Sequence, residues 1–219
     1  MNILESRWLG ERIASMPDAE LFPLLNVGSS TAEFRTTIQP WIDKNIFAPM
    51  RERGGVVHHL DIKKADGVDL VGDLSDPLFF ENVALLKARA VIASNLFEHI
   101  TNRHEIASAI LRLAPSRGYI ILSGPRTYPY HADPIDTMFR PTIDQMHAYF
   151  PGTEIIDSAI INSGNWRQWS AGERGRSLSR TVMRLMAPFY RPASWWVLAC
   201  QAPFLFKHIT AFALILRKY

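Results

Sequence analysis

Acidic side chains end two of the short apolar runs in the first third of the chain. Asp61 follows the run 56–60, and Asp73 comes shortly after the run 68–71. A carboxylate at the end of a buried strand can accept two hydrogen bonds from a ribose diol, and a second carboxylate beside it can accept one from an adenine amino group. An earlier apolar run stops at Gly28, and a glycine turn lets the backbone approach a ligand closely. These residue types in this order predict a nucleoside-binding site.

A proline-rich segment, residues 123–141, collects groups that could bind a hydroxylated molecule and remove its proton. Histidine titrates near neutral pH, so His131 is the first candidate for a general base. His99, which comes after the apolar run 90–93, is the second. The candidates for substrate binding are other polar residues of the same segment, namely Tyr130, Asp133, Asp136 and Arg140. The alternative is a rigid surface turn whose charged side chains pair with one another.

Alternating strands and helices must position these residues. Apolar runs predict strands at 24–27, 56–60, 68–71, 90–93, 119–122, 154–161 and 211–216. A helix is expected from Ser30, which stands three residues before Glu33 as in a capping box, until Pro40 interrupts it. Further helices are expected over 1–20 and 106–113. Strands that alternate with helices imply a doubly wound, Rossmann-like, mostly parallel α/β sheet that binds ligands beyond the carboxyl ends of its strands.

The order of these residues resembles the motif series of class I S-adenosylmethionine-dependent methyltransferases. The likeness spans roughly residues 22–125 and is carried by Leu24, Asn26 to Thr31, Asp61, Gly72 to Leu74, and Asn95 to Ile100. The segments Glu98-His99-Ile100 and 113–119 resemble the small-molecule branch of that family that is commonly called type 11. The resemblance implies a seven-stranded sheet with an antiparallel last strand, a helical insertion near the C-terminus, and S-adenosylmethionine as cofactor.

The same resemblance implies roles at the cofactor site. Gly28 is expected to contact the methionine part of the cofactor, Asp61 to hold the ribose, and Asp73 to neighbour the adenine. The full set of expected cofactor-binding residues is Asn26, Gly28, Ser29, Ser30, Asp61, Ile62, Asp73, Leu74 and Asn95.

The glycine turn departs from the family pattern, in which an acid is followed by Gly-x-Gly-x-Gly. Asn26 replaces the acid, and Ser30 and Ala32 replace two of the glycines, and the added Cβ atoms restrict backbone approach to a ligand. We expect an enzyme that O-methylates a sugar or another hydroxylated small molecule, because the segment 123–141 resembles methyltransferase-like proteins of bacterial surface-polysaccharide loci. The alternative is a binding or scaffold protein that keeps the fold and has lost catalysis.

Composition indicates the compartment and excludes some partners. The 219 residues suit a single α/β domain, and the lone Cys200 cannot form an internal disulfide, which favours the reducing cytoplasm. The N-terminal region lacks the continuous apolar stretch of a signal peptide. His58 and His59 are strand neighbours that point to opposite faces, so no metal site is expected. The chain shows no recognised nucleic-acid module, so nucleic acid is not an expected partner.

Basic charge is concentrated near the C-terminus. From Trp166 onward, nine Lys or Arg residues accompany one acid, Glu173. We therefore interpret 166–210 as a basic, aromatic insertion or lid within the single domain. Its segment 176–206 mixes arginines with aromatic and methionine side chains, which predicts peripheral contact with anionic lipid at the inner face of the membrane. The alternatives are a lid helix that packs on the sheet and a homodimer surface.

Overall fold

A seven-stranded sheet organises the part of the protein that the structure describes. The structure is a computed structural model, and it describes residues 1–131, 135–165, 195 and 207–219. The strands are β1 (Leu24–Val27), β2 (Val57–Asp61), β3 (Leu70–Val71), β4 (Ala90–Ser94), β5 (Tyr119–Thr127), β6 (Thr153–Asn165) and β7 (His208–Lys218). Their order across the sheet is β3-β2-β1-β4-β5-β7-β6.

Strand pairing follows the predicted topology. Parallel pairing joins β1 to β2 and to β4, β2 to β3, and β4 to β5, whereas β7 is antiparallel to both β5 and β6. The doubly wound, Rossmann-like sheet with an antiparallel last strand is therefore confirmed. The chain runs outward from β1 to β3 and then returns to place β4 on the other side of β1. The strand order thus reverses between β1 and β4, and sheets of this kind bind ligands beyond the carboxyl ends of the strands at such a reversal.

Helices cover both faces of the sheet. In the described residues the α-helices are α1 (Ile3–Ala14), α2 (Asp18–Leu21), α3 (Pro40–Ile42), α4 (Ala48–Glu52), α5 (Pro77–Ala84), α6 (Arg103–Leu113) and α7 (Ile143–His147), and Phe34–Ile38 and Asp43–Phe47 are π-helical. Val91 of β4 packs in one core with Ile110 of α6, while its neighbour Ile92 packs in the other core with Leu9 and Ile13 of α1. Successive strand residues point to opposite faces. A strand covered on both sides is therefore apolar throughout.

The N-terminal region forms two helices instead of the single helix predicted over 1–20. The Asn2 side chain accepts a hydrogen bond from the Glu5 N–H at 2.7 Å, and the Glu5 carboxylate accepts one from the Asn2 N–H at 3.1 Å. This reciprocal capping starts α1. Pro17 stands at the N-cap of α2, and because it has no N–H to donate, it cannot continue the preceding helix.

The helix after β1 begins one residue later than predicted. Ser30 has a φ of 54°, so it is not the extended N-cap residue that a capping box requires. Thr31 takes that place, since its Oγ1 accepts a hydrogen bond from the Phe34 N–H at 3.1 Å. The π-helical segment Phe34–Ile38 ends before Pro40, as predicted.

Five strands differ in length from their predictions: β4, β5, β6 and β7 are longer, and β3 is shorter. β5 continues to Thr127 because β7 pairs along its whole length, and the register shifts after Pro125, which has no N–H for the ladder. β3 contains only residues 70–71 of the predicted run 68–71.

The predicted insertion 166–210 lies mostly beyond what the structure describes. Residues 208–210 belong to β7 and not to an insertion. Residues 166–194 and 196–206 lie outside the described residues, and with them the predicted lipid, lid and dimer surfaces within 176–206, which stay predictions. Within the described ranges, no helix combines the length and apolar character needed to cross a bilayer.

Candidate active site

Main-chain hydrogen bonds and close packing fix the turn after β1 at the end of β2. Gly28 has a φ of 70°, a left-handed conformation that glycine adopts without strain. A Cβ atom at this position would lie 2.8 Å from Leu96 Cδ1, so any larger residue would have to displace that side chain. The Ser29 N–H then donates to the Leu60 carbonyl of β2 at 2.9 Å. The turn therefore reaches the carboxyl edge of the sheet in one defined conformation.

Asp61 connects this turn to the end of its own strand. Its Oδ2 accepts a hydrogen bond from the Ser30 N–H at 2.7 Å, and its Oδ1 accepts one from the Lys63 N–H at 3.0 Å. Each carboxylate oxygen has two lone pairs, so each retains one acceptor position beyond these bonds. Asp61 thus has a structural role and still has capacity to accept bonds from a ligand.

Arg35 is a part of this turn that sequence analysis did not find. Its buried guanidinium donates to the carbonyl oxygens of Ser29 at 2.9 Å, Ser30 at 2.8 Å and Gly67 at 2.7 Å. Burial lowers the pKa of the Arg35 guanidinium, partly offset by nearby carboxylates. The turn, in which Ser30 and Ala32 stand where the methyltransferase pattern has glycines, is held by this side chain. No sequence signal reveals the role, because an arginine on a surface helix is ordinarily solvated.

Asp73, Leu74 and Ile62 lie near the same edge and differ in exposure. The Gly72 N–H donates to the Asp61 carbonyl at 3.1 Å, which brings the residues after β3 beside the end of β2. Asp73 is exposed, and its Oδ1 accepts a main-chain hydrogen bond at 2.9 Å. Leu74 is buried in the core and borders a cleft of about 380 Å³ beside α6. Ile62 is 72 % exposed.

Two other predicted cofactor contacts have side chains that the protein itself uses. Asn26 is buried within β1, and its Nδ2 lies 3.0 Å from His59 Nδ1 on β2. Asn95 follows β4 with a φ of 52°, and its Nδ2 donates to Glu5 Oε1 at 2.7 Å. Either residue would therefore contact a cofactor through the polar atoms that these bonds do not use.

The N-terminal helix reaches the carboxyl edge of the sheet through Glu5, which is buried. Glu5 accepts the hydrogen bond from Asn95 described above. The Met1 amino group also fixes this end of the chain, since it donates to Gln39 Oε1 at 3.1 Å. The Trp41 Nε1 in turn donates to the Met1 carbonyl at 3.1 Å. Sequence analysis did not assign Glu5 to the site, since its position near the chain start predicts only a helix-capping acid.

A buried carboxylic acid lies beyond β4. Glu98 is 2 % exposed, and desolvation raises the pKa of its carboxyl group to about 8. The Glu98 carbonyl accepts hydrogen bonds from both the N–H and the Oγ1 of Thr137, each at 2.9 Å. These bonds attach the segment after β4 to the segment after β5. The sequence indicated Glu98 only as part of the family likeness, without a role.

The two predicted general bases lie side by side. The ring centroids of His99 and His131 are 5.3 Å apart, and the ring planes cross at 81°. His99 Nδ1 is 2.5 Å from the Ile135 carbonyl oxygen, and His99 Nε2 is 3.8 Å from Glu98 Oε1. Burial, opposed by Asp136, lowers the pKa of His131. A lowered pKa favours the neutral imidazole, the form that accepts a proton.

Asp136 and Arg140 brace the loop that carries His131. Arg140 donates to the two carboxylate oxygens of Asp136 at 2.6 and 3.1 Å, and the main-chain N–H groups of His131 and Met138 donate to the same carboxylate at 3.0 and 2.8 Å. Burial acts to raise the pKa of Asp136, but these bonds hold that pKa below its ordinary value. His131 Nδ1 lies 3.0 Å from Asp136 Oδ2, without the alignment of a hydrogen bond.

The structure thus gathers the predicted residues into two groups. The first group, which we call the nucleoside rim after its predicted role, consists of Gly28, Asp61 and Asp73, at the ends of β1 to β3. The histidine cluster consists of Glu98, His99 and His131, beyond β4 and β5. The pairing of Asp136 with Arg140 matches the alternative of a turn whose charges pair with each other. Tyr130 is 40 % exposed, and Asp133 lies outside the described residues.

Comparison with known proteins bears on the fold. Neither models of protein families nor curated protein sequences give a match. Among solved structures, the MccD protein is similar with a TM-score of 0.56 and 13 % identity over 98 % of this chain and 96 % of its own. The (4+2)-cyclase SpnF is similar with a TM-score of 0.54 and 17 % identity, over 97 % of this chain and 80 % of its own. A third similar structure is phosphoethanolamine N-methyltransferase 2 of Haemonchus contortus in complex with S-adenosyl-L-methionine. Its TM-score is 0.52 and its identity 13 %, over 97 % of this chain and 52 % of its own.

These similarities define the class of fold. The chain has the Rossmann-like fold of class I methyltransferases, with the strand order and the antiparallel last strand described above. Identities this low show the fold alone. The similar structures include one named a cyclase and one named a methyltransferase, so the reaction must be argued from the site.

Proposed function

We propose that this protein is an S-adenosylmethionine-dependent methyltransferase that O-methylates a sugar or another hydroxylated small molecule. The observation that carries the proposal is the nucleoside rim. Its glycine and its two acids come from three separate strand ends and share one edge of the sheet, next to the point where the strand order reverses. The fold agrees with this, since a methyltransferase in complex with S-adenosylmethionine has a similar structure.

The rim fits the adenosine part of this cofactor. Asp61 retains acceptor positions beyond its two main-chain bonds, which suits a ribose diol. The exposed Ile62 offers an apolar surface to the adenine ring, and the exposed Asp73 offers an acceptor to the adenine amino group. The left-handed turn at Gly28 places its main chain at the same edge, beside the proposed position of the methionine part. When bound, S-adenosylmethionine supplies a methyl group on a positively charged sulfonium.

The histidine cluster provides groups that can remove a proton from an acceptor hydroxyl. His99 Nδ1 faces the Ile135 carbonyl, so Nε2 is the nitrogen that can take the proton. His131 Nδ1 lies 3.0 Å from Asp136 Oδ2 but is not aligned for a hydrogen bond, and burial favours the neutral form of His131. We assign His131 as the first proton acceptor and His99 as the second. A positioned general base contributes about 10²–10⁴-fold to the rate.

Polar groups around this cluster suit a polyhydroxylated acceptor. The proposed acceptor contacts are Tyr130, Asp133 and Arg140. Asp136, which the sequence also suggested, braces the loop instead, because its side chain is buried and its two oxygens already accept four hydrogen bonds. Hydroxyl-rich acceptors need several such hydrogen-bonding side chains for orientation. The proposed role in surface-polysaccharide metabolism rests on the resemblance of the segment 123–141 alone.

A second candidate function is a binding or scaffold protein with this fold and no catalysis. It is favoured by the Asn95–Glu5 and Asn26–His59 hydrogen bonds, which engage two side chains expected at the cofactor. The similarity to SpnF, which is named a cyclase, illustrates that the fold carries other activities.

Calorimetric titration with S-adenosylmethionine and its demethylated product separates the two candidates. The enzyme should bind both compounds, and Asp73→Ala should bind them roughly tenfold more weakly because an acceptor for the adenine is lost. Asp66→Ala removes another exposed acid and serves as the control. Absence of binding by the wild-type protein would reject the enzyme in favour of the scaffold. Where binding is found, a mass-shift screen of sugars and other hydroxylated metabolites identifies the acceptor.

A further inference from the structure

We propose that Glu98, His99 and His131 form a binding site for a divalent transition-metal ion. Each residue offers one ligand atom, and the three atoms lie within 4.8 Å of one another. Nitrogen and oxygen ligands lie about 2.0–2.2 Å from a Zn²⁺ ion, which places ligand atoms about 3–4 Å apart. Small side-chain movements would therefore bring all three ligands onto one ion.

Each histidine lies close to a group that can serve as the outer partner of a metal-binding histidine, although His131 must still turn to align with Asp136. His99 Nδ1 is 2.5 Å from the Ile135 carbonyl oxygen, and His131 Nδ1 is 3.0 Å from Asp136 Oδ2. Metal-binding histidines almost always face a carbonyl or carboxylate with their second ring nitrogen, which fixes the ring orientation. This arrangement leaves the Nε2 atom of each ring for the ion.

The surrounding structure holds the three ligands in place. Glu98 and His99 follow β4, and His131 follows β5, two strands that pair in parallel. Thr137 binds the Glu98 carbonyl through two hydrogen bonds, so the two loops are joined. Asp136, which faces His131, is fixed by Arg140. A site built from braced side chains loses little conformational freedom when an ion binds.

The ligand set indicates the kind of ion. Two imidazoles and one carboxylate favour a first-row transition metal over Mg²⁺, which prefers oxygen ligands. Two histidines and a glutamate also hold catalytic Zn²⁺ ions that keep a position open for water or substrate. Of the described residues, these three are the group of histidine, cysteine and acidic side chains that meets the spacing a metal ion needs.

The role of the ion in catalysis rests on the proposed function, whereas its binding does not. A hydroxyl bound to a divalent ion is a stronger acid than a free hydroxyl. The open position would receive the acceptor hydroxyl, whose proton would pass to solvent water while its oxygen stays on the ion. With the ion bound, His99 and His131 act as ligands. Without it, they keep the role of proton acceptors.

Titration of the chelator-treated full chain with Co²⁺ tests the site, because protein-bound Co²⁺ absorbs visible light and Zn²⁺ does not. We expect one Co²⁺ per chain, displaced by Zn²⁺, with no S-adenosylmethionine present. Glu98→Gln, which keeps the side-chain size, and His99→Ala should each weaken Co²⁺ binding by about tenfold or more. His104→Ala removes an exposed histidine outside the cluster and should bind Co²⁺ as the wild type does.

Two outcomes would overturn the proposal: Co²⁺ binding that does not saturate at one ion per chain, and equal binding by wild type and Glu98→Gln. Circular dichroism checks that each variant is folded, and Glu98→Gln decides the matter if His99→Ala is unfolded. Glu98→Gln should keep the wild-type affinity for S-adenosylmethionine, since it lies outside the nucleoside rim. Failure of the metal site and failure of the proposed function are therefore distinguished by separate titrations.

Discussion

Asp61 accepts hydrogen bonds from the Ser30 and Lys63 N–H groups while lying at the proposed ribose site. Asp61→Ala would leave both N–H groups without this partner, and hydrogen bonds to a charged group contribute about 1.5–3 kcal/mol. We expect the free energy of unfolding in urea to fall by about 2 kcal/mol. Asp66→Ala, at an exposed acid, should change it by less than about 0.5 kcal/mol. Wild-type stability of Asp61→Ala would contradict a role for this carboxylate in the turn.

His131 is the residue whose loss should affect turnover without affecting cofactor binding. If it takes the acceptor proton, His131→Ala should lower kcat by about 10²–10⁴-fold. The affinity for S-adenosylmethionine should stay unchanged, because His131 lies outside the nucleoside rim. Steady-state kinetics and calorimetry on the same preparation measure both quantities, with His104→Ala as the control. Unchanged turnover together with normal cofactor binding would remove His131 from the mechanism.

His59 should make stability depend on pH. Burial and the positive charges of Arg35 and Arg51 lower the pKa of His59 from 6.5 to about 4, although the acids Asp69 and Asp43 act to raise it. Between these values the unfolded chain binds a proton that the folded protein does not, so stability falls as pH drops from 6.5 towards 4.

His59→Gln should remove this part of the acid sensitivity. The amide keeps polar atoms for Asn26 and does not titrate. Between pH 7 and 4.5 the variant should lose on the order of 2 kcal/mol less unfolding free energy than the wild type. Urea unfolding at the two pH values measures the difference, and His104→Gln, at an exposed histidine, is the control. Parallel losses in wild type and His59→Gln would show that His59 does not titrate in this way.

At the scale of elements, the π-helical segment Phe34–Ile38 holds the turn before it through Arg35. Arg35→Met keeps most of the side-chain volume and removes three bonds to carbonyl oxygens. We expect a loss of about 2–3 kcal/mol in unfolding free energy and weaker binding of S-adenosylmethionine, because the turn loosens. Arg51→Met is the matched control, since Arg51 pairs with Asp43 at the surface, where a salt bridge contributes about 0–1 kcal/mol. Similar losses in the two variants would contradict the special role of Arg35.

The elements could be predicted where a local pattern decides them. The strand β1 has the predicted bounds, Leu24–Val27, because a short run of this kind before a glycine favours a buried strand. The start of the next helix was wrong by one residue, since both Ser30 and Thr31 are capping residue types and only the backbone conformation separates them. The extension of β5 to Thr127 depends on pairing with β7, a partner more than 80 residues away, so no local pattern could show it.

The same distinction applies to the site. The position of Asp61 and Asp73 at one edge of the sheet was predictable, because strand ends are visible in the sequence and parallel strands bring their ends to one edge. The roles of Arg35 and Glu5 and the burial of Glu98 were not predictable. Each depends on contacts between distant segments, such as the Asn95–Glu5 bond. Side-chain pairing across the fold therefore limits what sequence analysis alone can assign.

At the scale of the whole molecule, α1 closes the structure by packing the start of the chain against the last strands. Leu9 is fully buried with Ile215 of β7 in the same core, and Arg12 bonds Asp157 of β6 at 2.7 Å. Leu9→Ala should lower the unfolding free energy by about 2–5 kcal/mol. Leu4→Ala, on the same helix but 43 % exposed, should cost less than about 1 kcal/mol. Chemical denaturation of the pair measures the difference, and equal effects would show that α1 is not part of the core.

The reversal of strand order also divides the chain into two stretches with separate tasks. The nucleoside rim comes from residues 28–73, whereas the histidine cluster and its braces come from residues 98–140. Substitutions in the later stretch can accumulate without disturbing the hydrogen bonds around Asp61. In the proposed enzyme, the groups that select the acceptor can thus change while the groups that hold the methyl donor stay the same. Substitutions within 123–141 should therefore change acceptor preference and leave donor affinity in place.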